Sequence, residues 1–311
     1  MGIISEPAIS VRGLKKSYGD VAAVHDISFD VMPGEVFALL GPNGAGKTTT
    51  IEILEGYRQA TDGEVSVLGF NPTNRMPGFR ERVGIVLQQT GANTYLTVRE
   101  TLDLFGSYYQ DSRSTNEVLE LVGLQDQSAA VVKRISGGQK RRLDVGIALI
   151  GQPDILFLDE PTTGFDPHAR RASWEMIHNL TNLGCTVMLT THYMEEAEFL
   201  ASSIGIMVSG EIALIGSKQD LQNKSQRSRI SFNATPQFNE MLQTDLKFSL
   251  SLGLDGFSAM ESTDAANDLY QLTTLAKQQS VNLRNLQVKT RTLEDIYIET
   301  VENYSKTGRP A

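Results

Sequence analysis

The chain has 311 residues, 40% of them hydrophobic, a formal net charge of −9 and one cysteine. That is enough apolar content for one large core with a smaller second one, and the acidic balance excludes the broad basic footprint of a nucleic-acid binder. Cys185 has no partner for an internal disulfide, which points to a reducing compartment. Within the run CTVMLTT it reads as a small apolar core residue. No basic start followed by a long apolar run is visible, so no leader is expected. No apolar stretch approaches the ~20 residues needed to cross a bilayer, so any membrane role is expected to come through a partner.

In chain order, AISVRGLKKSY and VAAVHDISFDV read as two antiparallel strands joined by the turn composition Ser17-Tyr18-Gly19-Asp20. EVFALL then runs as a strand into a glycine loop, and KTTTIEILEGY continues as a helix. TDGEVSVLGF reads as a further hairpin turning at Asp62-Gly63. VGIVLQ is a short buried strand, the stretch from about 96 to 150 turns helical, and DILFLDE is apolar without alternation, as a strand covered on both faces should be. RRASWEMIHNLTNLG follows as a helix, CTVMLTTH as the next buried strand, and SIGIMVSGEIALIG as a hairpin about Ser209-Gly210.

This alternation predicts an α/β fold with a mostly parallel sheet flanked by helices, an N-terminal antiparallel β part and an inserted helical part over about 90–150. Near residue 220 the composition shifts. QDLQNKSQRSR reads as a polar linker, and 221–311 as a small C-terminal α+β appendage holding the strands ISFNA and LQVKT and two helices.

Gly41-Pro42-Asn43-Gly44-Ala45-Gly46-Lys47-Thr48 fits the G-x-x-x-x-G-K-[ST] phosphate loop, with Thr49 continuing into the helix. Its glycines let successive N–H groups turn toward phosphate oxygens, Lys47 adds a point charge, and Thr48 offers a hydroxyl to Mg²⁺. The helix that follows points its positive end at the same place. These residues predict a nucleoside triphosphate site.

Such a site needs a carboxylate at the end of a neighbouring buried strand, and Asp159 supplies it, placed to hold the Mg²⁺ shell. Glu160 follows at once. Adjacent strand residues point to opposite sides, so Glu160 reaches the γ-phosphate as a general base only by swinging at the strand's end. Gln88 and His192 also sit just past apolar strands, at the edge where open α/β sheets bind ligands, with Gln89 a rival to Gln88. Tyr18, in a turn, has a ring free to stack on an adenine or equally to pack locally.

A second anion cradle starts at Ser136-Gly137-Gly138-Gln139. Ser136 is placed to cap a helix, but no lysine is aimed at a phosphate. Lys140-Arg141-Arg142 reads as a basic exposed turn of a helix whose Leu143, Ile147 and Ile150 face inward.

The order GPNGAGKT, VLQ, ISGGQ, ILFLDEP, GFDP and TTH, over about residues 8–216, resembles the nucleotide-binding subunit of an ATP-binding cassette (ABC) transporter. The resemblance implies ATP and Mg²⁺ as cofactors, Tyr18 as the adenine-stacking ring and Gln88 as a sensor of metal and attacking water. It implies Ser136, Gly137, Gly138 and Gln139 as a signature that closes on a second copy's ATP. Asp159 and Glu160 become metal carboxylate and catalytic base, Asp166 the subunit-communication aspartate, and His192 the γ-phosphate switch. Ile135 and Leu87 stand where the family more often has leucine and proline.

LTVRETLDLFGSYY, THYMEEAEFLASSIGIM and TLEDIYIET are similar to the drug-resistance and efflux branch, whose ATPase docks on a separate membrane permease at the cytoplasmic face. An importer ATPase with a C-terminal regulatory domain shares all of this chemistry and is the closest alternative. DNA-acting clamps built on the same cassette carry a long coiled coil, which the stretch from Gln88 to Ser136 is too short to hold. Ribosome-acting relatives carry two cassettes per chain, and here each motif occurs once.

Overall fold

Runs that are apolar at every position become the central strands. The computed structural model describes residues 6–74, 76–86, 94–181, 184–224, 228–245, 248–252, 257–290 and 292–307. The chain divides into two units, one over Met1–Lys218 with Thr300–Ala311 and the other over Gln219–Glu299.

The first unit begins with β1 (Ile9–Tyr18), β2 (Val21–Val31), β3 (Val36–Leu40), α1 (Lys47–Leu54) and β4 (Asp62–Val67). It continues through α2 (Pro77–Arg80), β5 (Val83–Val86), α3 (Val98–Gly106), α4 (Thr115–Leu121), α5 (Gly137–Leu149), β6 (Ile155–Asp159) and α6 (Pro167–Thr181). It closes with β7 (Thr186–Thr191), α7 (Met194–Leu200), β8 (Ser203–Val208) and β9 (Glu211–Ser217). Six strands form one sheet in the order β5-β6-β7-β3-β8-β9, parallel except for β9. Every residue of β3 and β7 is buried, as parallel strands covered on both faces require.

A separate antiparallel sheet, β2-β1-β4, lies in the same unit. Ile9, Leu14 and Phe29 from it share one core with Phe37, Ile51, Phe157 and Met188. The turn expected at Asp62-Gly63 lies instead at Leu68-Gly69, where Val67 and Phe70 form an isolated antiparallel bridge. Asp62-Gly63 open β4, which pairs back onto β1 from Ile9↔Val67 to Lys15↔Asp62. Gly63 is in the left-handed region (φ 94°), and a Cβ there would strike the backbone of Gly13 and Leu14. The glycine marks a close approach of two strands and not a turn.

Between β5 and β6 the described residues, from 94 on, carry the helices α3, α4 and α5. α3 starts with a reciprocal cap, in which Thr97 Oγ1 accepts from Glu100 N (3.1 Å) and Glu100 Oε2 accepts from Thr97 N (2.8 Å). Cys185 is buried, and burial pushes its thiol up to about 12, so it is an inert core residue.

The second unit contains most of α8 (Lys218–Lys224), then β10 (Ser228–Asn233), α9 (Pro236–Asp245), β11 (Leu250–Leu252), β12 (Phe257–Ser262), α10 (Ala265–Gln278), β13 (Arg284–Thr290) and the start of α11 (Leu293–Thr307). The polar stretch read as a linker is therefore largely helix α8 and the beginning of β10. The strands form an antiparallel sheet in the order β11-β12-β10-β13, a split β-α-β arrangement. Ile230, Phe232, Phe238, Leu242, Met260 and Leu272 are its core.

Candidate active site

The site is assembled at the C-terminal ends of β3, β6 and β7, where an open α/β sheet leaves room for a ligand. The loop after β3 reaches α1 through Gly46, whose φ of 100° only glycine adopts freely. A Cβ at Gly46 would also sit 2.5 Å from the Ala23 carbonyl. No side chain caps α1, so its first N–H groups stay directed at whatever enters the loop.

Lys47 is 4% exposed. Its Nζ donates to the carbonyls of Gly41 (2.8 Å) and Pro42 (3.1 Å) and lies 4.0 Å from Glu160 Oε1. Burial lowers the lysine's pKa, and Glu160 and Asp159 pull against that shift. Thr48 Oγ1 donates to Asp159 Oδ1 at 3.4 Å. A hydroxyl and a carboxylate side by side are the hard oxygen donors that Mg²⁺ takes, so these residues fit that ion.

Glu160 reaches the site by a backbone device that the sequence does not announce. β6 ends at Asp159, and Glu160 turns into the left-handed region at φ 45°. A non-glycine residue there costs about 1–3 kcal/mol and persists only where its surroundings hold it. Its N–H donates to Thr190 O (3.2 Å) and Thr190 Oγ1 (3.1 Å), and its Oε2 accepts from Thr163 Oγ1 (3.1 Å). The same Thr190 hydroxyl donates to Asp159 Oδ1. His192 Nδ1 lies 3.3 Å from Glu160 Oε1. The structure thus brings Lys47, Thr48, Asp159, Glu160 and His192 into one cluster.

Gln88, with its rival Gln89, lies outside the described residues, and two further predicted residues take other positions. Tyr18 ends β1 with its ring 41% exposed, Lys16 Nζ 5.1 Å and Arg58 Cζ 5.5 Å from the ring centre. Asp166 caps α6, its Oδ1 accepting from Ala169 N at 2.9 Å.

At Ser136 the helix α5 begins with a capping box. Ser136 Oγ accepts from Gln139 N (3.2 Å), and Gln139 Oε1 accepts from Ser136 N (2.9 Å). Ser136 and Gly137 are exposed, and a Cβ added to Gly137 would meet nothing within 4 Å.

Two residues that matter to the site escaped the sequence reading. Arg141, expected on an exposed basic turn, is 8% exposed. Its Nε donates to Pro161 O (3.1 Å) and its guanidinium to Asp159 O (3.1 Å), so α5 grips both ends of the Asp159-Glu160-Pro161 segment. Lys140 and Arg142 are half-buried too. The turn after β6 leaves carbonyls pointing at α5, and the planar fork of the guanidinium serves two of them. Glu196 on α7 is fully buried, with Oε1 accepting from Thr162 Oγ1 (2.7 Å) and Trp174 Nε1 (2.9 Å), and burial raises its pKa. The signal was present in MEEAEFL, where Glu196 shares a helix face with Leu200.

The family model described as ABC transporter matches residues 24–163. The linearmycin resistance ATP-binding protein LnrL of Bacillus subtilis is 34% identical over 305 residues, 93% of this chain and 97% of that protein. The Nod factor export ATP-binding protein I of Ralstonia nicotianae is 41% identical over 71% of this chain and 70% of its own length. Among solved structures, a dimeric, post-hydrolysis ATP-binding cassette bound to ADP and Pi matches with a TM-score of 0.60 and 24% identity, over 67% of this chain and 98% of that one. The fold, with its phosphate loop beside a strand-end carboxylate pair, is that of an ATPase cassette, and the chain belongs to the ABC transporter family as one of its ATP-binding, ATP-hydrolysing subunits.

Proposed function

We propose that this chain hydrolyses ATP in an ATP-bound pair of cassettes and drives efflux through a separate integral membrane subunit. The observation that carries the reading is the clustering of Lys47, Thr48, Asp159, Glu160 and His192 at one sheet edge. The residues from Gly41 to Thr49 wrap the phosphates, Lys47 neutralises their charge, and Tyr18 stacks on the adenine. Thr48 and Asp159, with Gln88, hold Mg²⁺, which when bound stabilises charge on the phosphates. Glu160 takes the proton from the attacking water, and His192, hydrogen-bonded to it, orients that carboxylate.

Ser136, Gly137, Gly138 and Gln139 close on the ATP of a second cassette, either this chain again or a paralogue, with Asp166 beside the same seam. Each charge-assisted hydrogen bond contributes ~1.5–3 kcal/mol and the helix dipole ~0.3–1 kcal/mol, against an association cost of ~4–15 kcal/mol. A few such bonds made twice are of that order, so loss of the γ-phosphate reopens the pair.

The efflux direction rests on the resistance and export relatives, which favour it over an importer. The permease partner is supported by a largely apolar groove of ≈ 460 Å³ lined by Gly56, Tyr57, Pro72, Phe79 and Ile85 together with Glu55 and Arg80, with Tyr57 70% exposed. Exposed Tyr95, Leu104 and Tyr108 around α3 supply further surface. Among the described residues no helix is long and apolar enough to cross a membrane. In this reading the chain is a peripheral subunit held at the cytoplasmic face by that permease. The expected division into 1–220 and 221–311 is refined by the two units: Met1–Lys218 with Thr300–Ala311 acts as the ATPase domain and Gln219–Glu299 as its accessory domain.

The deciding experiment is Glu160→Gln with ATP. The variant is expected to bind ATP, lose turnover about 10²–10⁴-fold and accumulate as a dimer in light scattering. A monomer at saturating ATP with normal turnover overturns the reading.

A further inference from the structure

The sheet of the second unit buries one face. Along β10, Ile230 and Phe232 are fully buried in its core, so Arg229, Ser231 and Asn233 face the other way. On that open face the register sets Arg229 opposite Lys289 on one side and Glu261 on the other. One step along, Ser231 faces Ala259, which faces Ser251 on β11; one step further, Asn233 faces Phe257. A cavity of ≈ 470 Å³ sits over this face, lined by Arg229, Ser231, Ser251, Phe257, Lys289 and Asp295. That is the size of a small-molecule site, about 300–1,000 Å³.

The lining is graded. At one end Arg229 and Lys289 stand side by side on adjacent strands, with Glu261 across Arg229 on the side away from Lys289 and outside the cavity's lining; two like charges so placed cost stability unless an anion bridges them. Among the described residues neither Arg229 nor Lys289 is in an ion pair. The carboxylate of Asp295 is engaged in capping α11, its Oδ2 accepting from Thr292 N and Thr292 Oγ1, both at 2.9 Å. Hydroxyls of Ser231 and Ser251 line the middle, and Ser251 Oγ donates to Ala259 O at 3.2 Å. At the far end Phe257 is 38% exposed, an aromatic ring with no place in the unit's core. Four residues of strand, about 13 Å at ~3.3 Å per residue, separate the charged row from that ring.

We propose that this cavity binds an organic anion with an apolar tail, its acid head held by Arg229 and Lys289 and its tail running past Ala259 to Phe257. The grading of the lining, cations at one end and an exposed ring at the other, selects an occupant with an acid head and an apolar tail. The inference stands independently of the ATPase reading.

The test is calorimetric titration of the full chain with decanoate, decyl phosphate and decanol, with ATP affinity measured in parallel. One saturable site per chain is expected for an anionic probe, and the tighter of the two anions identifies the head group. Arg229→Ala with Lys289→Ala should weaken that binding about tenfold or more, Phe257→Ala should weaken it as well, and ATP affinity should stay unchanged. Decanol binding as tightly as the acids, no saturable site, or affinity unmoved by the paired substitution would each overturn the proposal. So would sedimentation showing that the paired substitution abolishes a dimer formed without ATP.

Discussion

Two helix starts in this molecule look alike in sequence and are built for opposite uses. α1 begins at Gly46, α5 at Ser136, and glycines flank both. At Gly46 the backbone is left-handed, the neighbouring Ala23 carbonyl excludes any side chain, no residue caps the helix, and a buried lysine completes the cradle. At Ser136 the cap is satisfied within the chain, and Gly137 has open space around it. The first cradle's glycine is demanded by its own fold. Among the described residues nothing crowds the second one; the proposed function gives its smallness a use, in a phosphate arriving from a second cassette. A Ser136 hydroxyl that accepts from Gln139 N keeps its own hydrogen to donate to that arrival.

Breaking the first cradle gives the largest effect. Lys47→Ala should weaken ATP binding roughly a hundredfold or more by removing a buried cation and its charge-assisted bonds; near-normal affinity in a nucleotide-binding assay would count against the site. Alanine at the two glycines then separates the cradles. Gly46→Ala should abolish ATP binding, because it combines a forbidden φ with a clash. Gly137→Ala should leave ATP affinity intact and raise helix stability by about 0.5–1 kcal/mol, yet lower turnover about tenfold. Unchanged turnover in that variant would remove Gly137 from any shared site.

Arg141 joins the two cradles, since it reaches from the second helix to the strand end of the first site. Arg141→Met should cost about 1–3 kcal/mol in denaturant unfolding for each carbonyl left unsatisfied and lower turnover more than ATP affinity. Arg141→Lys should restore part of the stability and less of the turnover, because one ammonium cannot serve both carbonyls in a fixed plane.

The smallest effect is a pH dependence behind the first cradle. Glu55, just past α1, is raised from 4.5 to about 8, first by burial and then by the nearby Asp159 and Glu52 charges. Its folded value lies above its unfolded one, so the folded chain holds the extra proton between them. Its stabilising contribution is full below about 4.5 and is lost as pH rises through about 8. Glu55→Gln should therefore melt close to the parent chain at about pH 5 and above it at about pH 9. A constant difference across that range would show that Glu55 is ionised throughout.

Much of this was legible in order and spacing. The glycine loop, the carboxylates after ILFLD, the histidine after TVMLTT and the alternation of buried strands with helices all follow from local chemistry, because a parallel sheet writes itself as runs without alternation. The two misreadings and the one omission share a cause. Gly63, Arg141 and Glu196 each answer to an atom far away in sequence: the Gly13 backbone, the Asp159 and Pro161 carbonyls, and the Thr162 and Trp174 donors. Locally, a glycine after aspartate resembles a turn, and an arginine among cations resembles a solvated face.

What the sequence by itself determined is therefore the cluster of Lys47, Thr48, Asp159, Glu160 and His192 and the chain order of the strands that carry it, since strand ends and phosphate loops are local devices. Only the tertiary structure decided how adjacent Asp159 and Glu160 come to serve one site. Strand geometry would send them to opposite faces, and a left-handed turn at Glu160, held by Thr190 on the neighbouring strand and by the loop residue Thr163, brings them together. That turn is stable only where long-range hydrogen bonds outweigh its strain, and such bonds exist only once the sheet has formed.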